Sequence, residues 1–179
     1  MTKPVFFDTD CLSSFLWTNT ENLLGMCLGS SLYVPRQVYG ELSKVPKLKS
    51  KIDAMIAGRL VELIDIPCDT EADLLYRKLT MSTYDSPFPL IGKGEASAIV
   101  LARMHDGIVA SNNYADTAAY VKQYGLTQIA TEHILIESVE RDLIDFSRAE
   151  TIWVEMIARK RRLPYSTFRE CWLNRKGGI

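Results

Sequence analysis

Short apolar runs alternate along this chain with longer stretches in which apolar positions recur three or four residues apart. The short runs Pro4–Phe7, Leu32–Val34, Val61–Ile64, Ile108–Ala110 and Gln128–Ala130 predict strands. Helical spacing covers Leu12–Leu28, Arg36–Lys44, Leu48–Gly58, Thr70–Ser82, Glu95–His105 and Ala115–Tyr124. Pro35 suits a first helical turn, where its missing N–H is not needed. Gly58, Gly107 and Gly125 fall where helices should stop. Strands separated by helices require crossovers, so the pattern predicts an α/β fold with a mostly parallel five-stranded sheet flanked by helices. Past Ala130 the spacing is helical throughout: Glu132–Leu143, Ser147–Lys160 and Thr167–Asn174, with Asp145 or Ser147 able to cap the second.

The chain has 179 residues, enough for one domain with a full core, and shows no repeat or linker. The loop Tyr84–Gly94, with Pro87, Pro89 and two glycines, leads straight into Glu95; loops so placed often carry function. No apolar run approaches the length of a membrane span, and the start of the chain is strand-like rather than a signal peptide. Cys11, Cys27, Cys68 and Cys171 are scattered, with only His105 and His133 to join them, which argues against structural zinc and for reduced thiols in the cytoplasm. A net charge of −1 gives no global basic field. Basic residues nevertheless cluster at Lys44, Lys47, Lys49 and Lys51, at Arg159 to Arg162, and at Arg169, Arg175 and Lys176. Such runs are usually solvated helix faces, and phosphate contact is the lesser reading for either cluster taken alone.

Four acids carry the candidate chemistry. Asp8 closes the first apolar run, Glu41 lies in the helix after Leu32–Val34, Glu95 opens the helix after the glycine-rich loop, and Asp116 follows the run Ile108–Ala110. In an open α/β sheet, ligands bind outside the C-terminal edge of the strands, where the strand order reverses. Carboxylates gathered there raise one another's pKa unless a cation neutralises them, and a hard divalent ion takes oxygen ligands. Each acid also has a plainer reading. Asp8 or Asp10 could cap a helix, Glu41 could face solvent, Glu95 could complement a helix dipole, and Asn113 with Asp116 makes a helix-start signature.

Taken together, these segments resemble the PIN-domain family of nucleases, including the toxin components of toxin–antitoxin pairs. Asp8-Thr9-Asp10 is similar to the family's opening Asp-Thr-Asn or Asp-Thr-Ser. Leu32 to Leu42 resembles its strand, proline and helix with the second acid, and Gly92-Lys93-Gly94-Glu95-Ala96-Ser97-Ala98-Ile99-Val100-Leu101-Ala102 resembles Gly-x-Gly-Glu-Ala-x-Ala-Ile-x-Leu-Ala. The resemblance implies a PIN-like three-layer sandwich spanning residues 1–179, with a core over about 4–145 and a helical extension over 146–179. One departure is Asn112-Asn113, where many members carry Asp-Asp; Asp116 then matches the later acid of an Asn-x-x-Asp variant. Uncharged amides bind a hard cation more weakly than carboxylates.

What the resemblance implies is an endoribonuclease dependent on Mg²⁺ or Mn²⁺, hydrolysing a phosphodiester with a metal-bound water. Asp8, Glu95 and Asp116 hold the metal, and Glu41 orients water or completes a second site. Thr9 fixes Asp8 by a hydroxyl hydrogen bond, Ser111 and Asn113 are supporting donors, and Lys93 contacts phosphate. The implied partners are RNA, an antitoxin and a second copy of the chain, with no membrane. Tyr165 and Trp172 could extend an RNA track, although Trp172 also reads as core. Phe15, Leu16, Trp17, Leu23 and Leu24 could receive a partner helix or simply cover the sheet. Two other readings stand beside this one: a PIN-like binding or regulatory module with a weakened site, and a haloacid-dehalogenase-type phosphohydrolase suggested by Asp8-Thr9-Asp10.

Overall fold

A computed structural model describes residues 3–29, 31–82 and 89–175. The five expected strands are all present: β1 (Val5–Phe7), β2 (Leu32–Pro35), β3 (Glu62–Ile64), β4 (Ile108–Ala110) and β5 (Thr127–Ile129). They form one sheet in the order β3-β2-β1-β4-β5, every neighbouring pair parallel. The helices are α1 (Thr9–Thr18), α2 (Asn22–Leu28), α3 (Arg36–Leu42), α4 (Pro46–Ala57), α5 (Glu71–Thr80), α6 (Lys93–Met104), α7 (Tyr114–Gln123), α8 (Thr131–Glu140), α9 (Phe146–Ala158) and α10 (Phe168–Leu173). The chain is thus an α/β protein with a parallel sheet flanked by helices on both faces.

Alternation along each strand sorts side chains between the two faces. Val5 and Phe7 enter one core with residues of α1, α2, α3, α4, α8, α9 and α10. Phe6 points the other way, into a second core with α5, α6 and Tyr120 of α7. The middle of α6, from Ala96 to Ala102, is entirely buried. Its small residues allow the helix to lie close over β1, β2 and β4.

The differences from the sequence reading lie mostly at element ends. The single stretch Leu12–Leu28 is two helices, because Asn19 takes a left-handed conformation and closes α1. Asn tolerates that conformation better than most residues. Pro35 ends β2 and precedes α3 rather than sitting in its first turn; the proline in a first turn is Pro46 of α4. Of the three glycines expected to stop helices, only Gly125 is left-handed; after α4 and α6 that role falls to Arg59 and Asp106. Gly107 has another reason to be glycine: a Cβ there would lie 2.6 Å from both the Phe6 ring and the Pro4 carbonyl. Asp145, not Ser147, caps α9, accepting from the Arg148 N–H at 2.7 Å. Residues 84–88 of the expected loop, and Lys176 of the last basic group, lie outside the described residues.

Candidate active site

The ends of β1 and β4 lie side by side where the chain stops building the sheet outward through β2 and β3 and starts again on the other side of β1. This is the crevice in which open α/β sheets bind ligands. Asp8 leaves β1 there. Its N–H continues the ladder to the Ala110 carbonyl at 2.9 Å, and the residue is 1% exposed. Oδ1 accepts from the Cys11 N–H at 2.7 Å, so Asp8 does cap α1. Oδ2 accepts the hydroxyl of Ser111, the first residue after β4. Capping occupies one oxygen and cross-strand bonding the other. Burial pushes the Asp8 carboxyl up to about 7; the Ser111 and Cys11 bonds hold it down, and the charges of Glu95 and Asp10 raise it further.

Glu41, on α3, accepts the hydroxyl of Thr9 on Oε2. The expectation that Thr9 steadies Asp8 is therefore corrected: Thr9 turns to Glu41, and Ser111 supplies the hydroxyl to Asp8. Glu95 stands in the first turn of α6, brought in by Gly92 and Gly94. A Cβ on Gly94 would sit 3.0 Å from Thr9 Oγ1 and 3.2 Å from Glu41 Oε2, and one on Gly92 would collide with the Glu95 carboxylate. Lys93, between them, is exposed.

Asn113 ties the remaining acids together. It occupies the position before α7 but makes no side-chain cap there. Its Nδ2 instead donates to Glu95 Oε1 at 3.2 Å and to Asp116 Oδ2 at 2.7 Å, while its N–H donates to Ser111 Oγ at 3.2 Å. One hydrogen-bonded chain thus runs from Asp8 through Ser111 and Asn113 to Glu95 and Asp116. Gln128 supports it from β5, its Nε2 donating to the Ser111 carbonyl at 3.0 Å and its Oε1 accepting the Thr117 hydroxyl at 2.9 Å. Gln128 was missed in the sequence, where it reads only as a polar position in a strand. Asn112, read there only as a replaced acid, caps α8: its Oδ1 accepts the Thr131 N–H and hydroxyl, both at 2.9 Å.

Among the described residues, no three Asp, Glu, His or Cys side chains are gathered closely enough to enclose an ion by themselves. Mg²⁺ does not need such a cage, since it keeps several waters and takes one or two carboxylates. Asp8 offers hard oxygen and a carboxyl raised by burial and by Glu95, both of which a cation would relieve. On the chemistry of its donors the site fits a hard divalent cation. His133 Nδ1 accepts the Ala130 N–H at 3.2 Å, and the His105 ring stacks on Phe6 at 5.6 Å.

The sequence's other candidates fall elsewhere. Phe15, Leu16, Leu23 and Leu24 are core residues, so the partner groove expected from them is not there; they cover the sheet. Trp17 alone is half-buried, with Lys47 Nζ 5.5 Å and the Arg159 guanidinium 5.7 Å from its ring centre. Two basic clusters far apart in sequence therefore meet on one tryptophan. Trp172 packs edge-on to Phe146 at 5.8 Å and lies 3.9 Å from the Arg175 guanidinium, which leaves it a structural part of the C-terminal helices rather than a free platform.

A parallel α/β sheet with a buried acid at its switch point, hydrogen-bonded toward further acids, defines a class of enzyme-like domains. A family model described as PIN domain matches residues 4–173, from ahead of β1 to the end of α10, and the chain belongs to that family. The PIN domain is a nuclease superfamily, so the haloacid-dehalogenase reading falls away. None of the curated proteins matches the chain. Among the described residues, no helix is long and apolar enough to cross a membrane.

Proposed function

We propose that this chain is a divalent-metal-dependent endoribonuclease with Asp8, Glu41, Glu95 and Asp116 at its catalytic centre. The observation that carries the reading is the buried Asp8 carboxylate at the sheet's switch point, raised to about 7 and connected through Ser111 and Asn113 to Glu95 and Asp116. Asp8, Glu95 and Asp116 hold Mg²⁺ or Mn²⁺, which when bound makes water nucleophilic at neutral pH and offsets charge on the phosphoryl oxygens. Ser111 and the Cys11 N–H keep the Asp8 carboxylate in one orientation. Asn113 spaces Glu95 from Asp116, and Thr9 directs Glu41 toward the same edge. Lys93, exposed beside Glu95, meets the scissile phosphate. Hydrolysis forms one phosphorus–oxygen bond to the incoming water and breaks the one to the leaving ribose oxygen.

With Mg²⁺ or Mn²⁺ present, the parent chain should cleave single-stranded RNA and Asp8→Asn should not. Calorimetric titration should find Mn²⁺ binding to the parent that Asp8→Asn removes. Cleavage by Asp8→Asn at the parent's rate would refute the assignment. Within the PIN family the resemblance is to toxin components, and the reading extends to a cytoplasmic toxin held by an antitoxin, with self-association through helices. Expression of the parent should slow growth and expression of Asp8→Asn should not. Equal tolerance of both would remove the toxin role.

A second reading, a PIN-like binding module, is favoured by one observation. The uncharged Asn113 amide already engages both Glu95 and Asp116. The same titration separates the two readings, because a module of that kind takes up no Mn²⁺.

A further inference from the structure

The outward face of α1 gathers positive charge in a chain whose net charge is −1. The helix starts at its cap, Asp8, and packs against both α4 and α9. Asp10, Ser13 and Trp17 follow one another on it at i, i+3 and i+7 and so share one stripe. The basic run Arg159 to Arg162, at the end of α9, folds onto that stripe. Arg161 donates from Nη1 to Ser13 Oγ at 3.1 Å and lies 3.9 Å from Asp10 Oδ1. One turn further along α1, Arg159 and Lys47 reach the Trp17 ring at 5.7 and 5.5 Å, Lys47 from the first turn of α4. Along the helix axis the row covers about 14 Å from Asp8 to Trp17.

These cations are not matched by acids. In the cluster that holds Lys47, Lys49 pairs with Asp53 at 2.6 Å and Lys51 with Glu21 at 2.9 Å. Lys47 and Arg159, both exposed, have no acid partner among the described residues, and Arg161 has only its long contact with Asp10. Two cations held on one aromatic ring repel each other, and an anion between them relieves that repulsion. Arg161 binds the Arg159 carbonyl through Nε at 3.1 Å, which leaves its Nη2 donors for a further acceptor. Placement decides which anion. The charge of Asp10 is felt at Asp8, and Arg162 lines a small cavity with Asn112, the neighbour of Asn113. The basic turn therefore borders both the β1 side and the β4 side of the proposed catalytic centre, where a polynucleotide being cut has to leave it.

We propose that this stripe is a backbone track for single-stranded RNA, which carries the strand on one side of the cut along α1, its phosphates on Arg161, Arg159 and Lys47. Trp17 anchors the two outer cations rather than stacking a base, so the track holds RNA of any sequence. The track deepens the ribonuclease reading and rests on it for its substrate.

The test reads binding apart from cleavage. The full chain, without divalent metal, is titrated into a labelled single-stranded RNA of about twelve nucleotides over a range of salt concentrations. Lys47→Ala, Arg159→Ala and Arg161→Ala together should weaken binding by more than about tenfold. They should also flatten the slope of log affinity against log salt by about 2, since each phosphate contact on a single strand contributes about 0.7. Lys47→Ala alone, on an exposed residue, should flatten it by about 0.7 and keeps the test open if the triple variant folds poorly. The same charge loss at Lys3, Lys122 and Arg148, away from the strands' C-terminal edge, should leave affinity near the parent's. A glutamate-rich peptide of equal charge should bind at least about tenfold more weakly than the RNA. An RNA affinity and slope unmoved by the first substitutions, or moved equally by the second set, would overturn the track. Peptide binding as tight as RNA binding would give the surface to an acidic protein segment and overturn it too. Binding without metal bears on the track and cleavage with metal on the catalytic centre, so either can fail without the other.

Discussion

Asp8 combines three conditions that oppose one another: full burial, a negative charge and acidic neighbours. Its carboxyl sits at about 7 against an ordinary value of 3.8, so the folded chain holds this proton more tightly than the unfolded chain does. Stability should then fall as pH climbs from about 4 to about 7, with the penalty complete above that and absent below it. At 1.36 kcal/mol per unit the penalty reaches at most about 4 kcal/mol. An asparagine can keep both bonds, accepting from Cys11 and donating to Ser111, without the charge. Asp8→Asn should therefore melt higher than the parent at pH 8 and together with it near pH 4, and comparing the two chains cancels the other titrations. A variant less stable by the same margin at both pH values would show that charge is not what burial opposes there. Asn113→Asp tests the neighbouring position. It replaces the shared donor with a carboxylate between Glu95 and Asp116, so it should lower the melting temperature without metal and tighten Mn²⁺ binding by calorimetry.

At the scale of elements, what delivers Glu95 is the start of α6. Gly94 lets this end of the helix lie against Thr9 and Glu41, where a side chain would intrude, and a side chain at Gly92 would intrude on Glu95 itself. Gly92 has φ of −62°, so alanine fits its backbone, and the atom it would strike is the far end of the Glu95 side chain, which can swing aside. Gly92→Ala should cost about 1 kcal/mol of stability, since Gly92 is the N-cap of α6 and alanine caps a helix less well than glycine. Cleavage should nevertheless drop well below the parent's, because Glu95 loses its bond to Asn113. A melting loss of several kcal/mol with unchanged cleavage would assign this entry to folding alone. Helix ends were also where the sequence was read least accurately. Periodic apolar spacing marks the middle of a helix, whereas its limits depend on single polar residues such as Asn19 and Asp145.

At the scale of the whole molecule, the proposed metal site should act as a fold-linked ligand site. A cation bound by the folded chain alone stabilises it by about 2.7 kcal/mol at a hundredfold excess over Kd. Mg²⁺ or Mn²⁺ should therefore raise the parent's melting temperature in a concentration-dependent way and leave that of Asp8→Asn unmoved. An equal rise in both chains would place the binding elsewhere.

The sequence by itself determined the α/β class, the five strands and the resemblance that carried the family, because apolar periodicity and the Gly-Lys-Gly-Glu segment are local properties. It also singled out the acids: Asp8 follows a strand, Glu95 and Asp116 lie in first helical turns, and Glu41 lies in the helix after β2. Only the tertiary structure decided what those acids touch. Phe7 pairs with Ala110 in the parallel register of β1 and β4, and that pairing brings Asp8 to Ser111 across a separation of 103 residues. The approach of α6 over α3 likewise sets Gly94 against Thr9 and Glu41. Whether an amide caps its own helix or bridges two acids depends on which other element lies beside it. Asn112 and Asn113, adjacent and identical in the sequence, do different things for that reason: one caps α8 and the other joins Glu95 to Asp116.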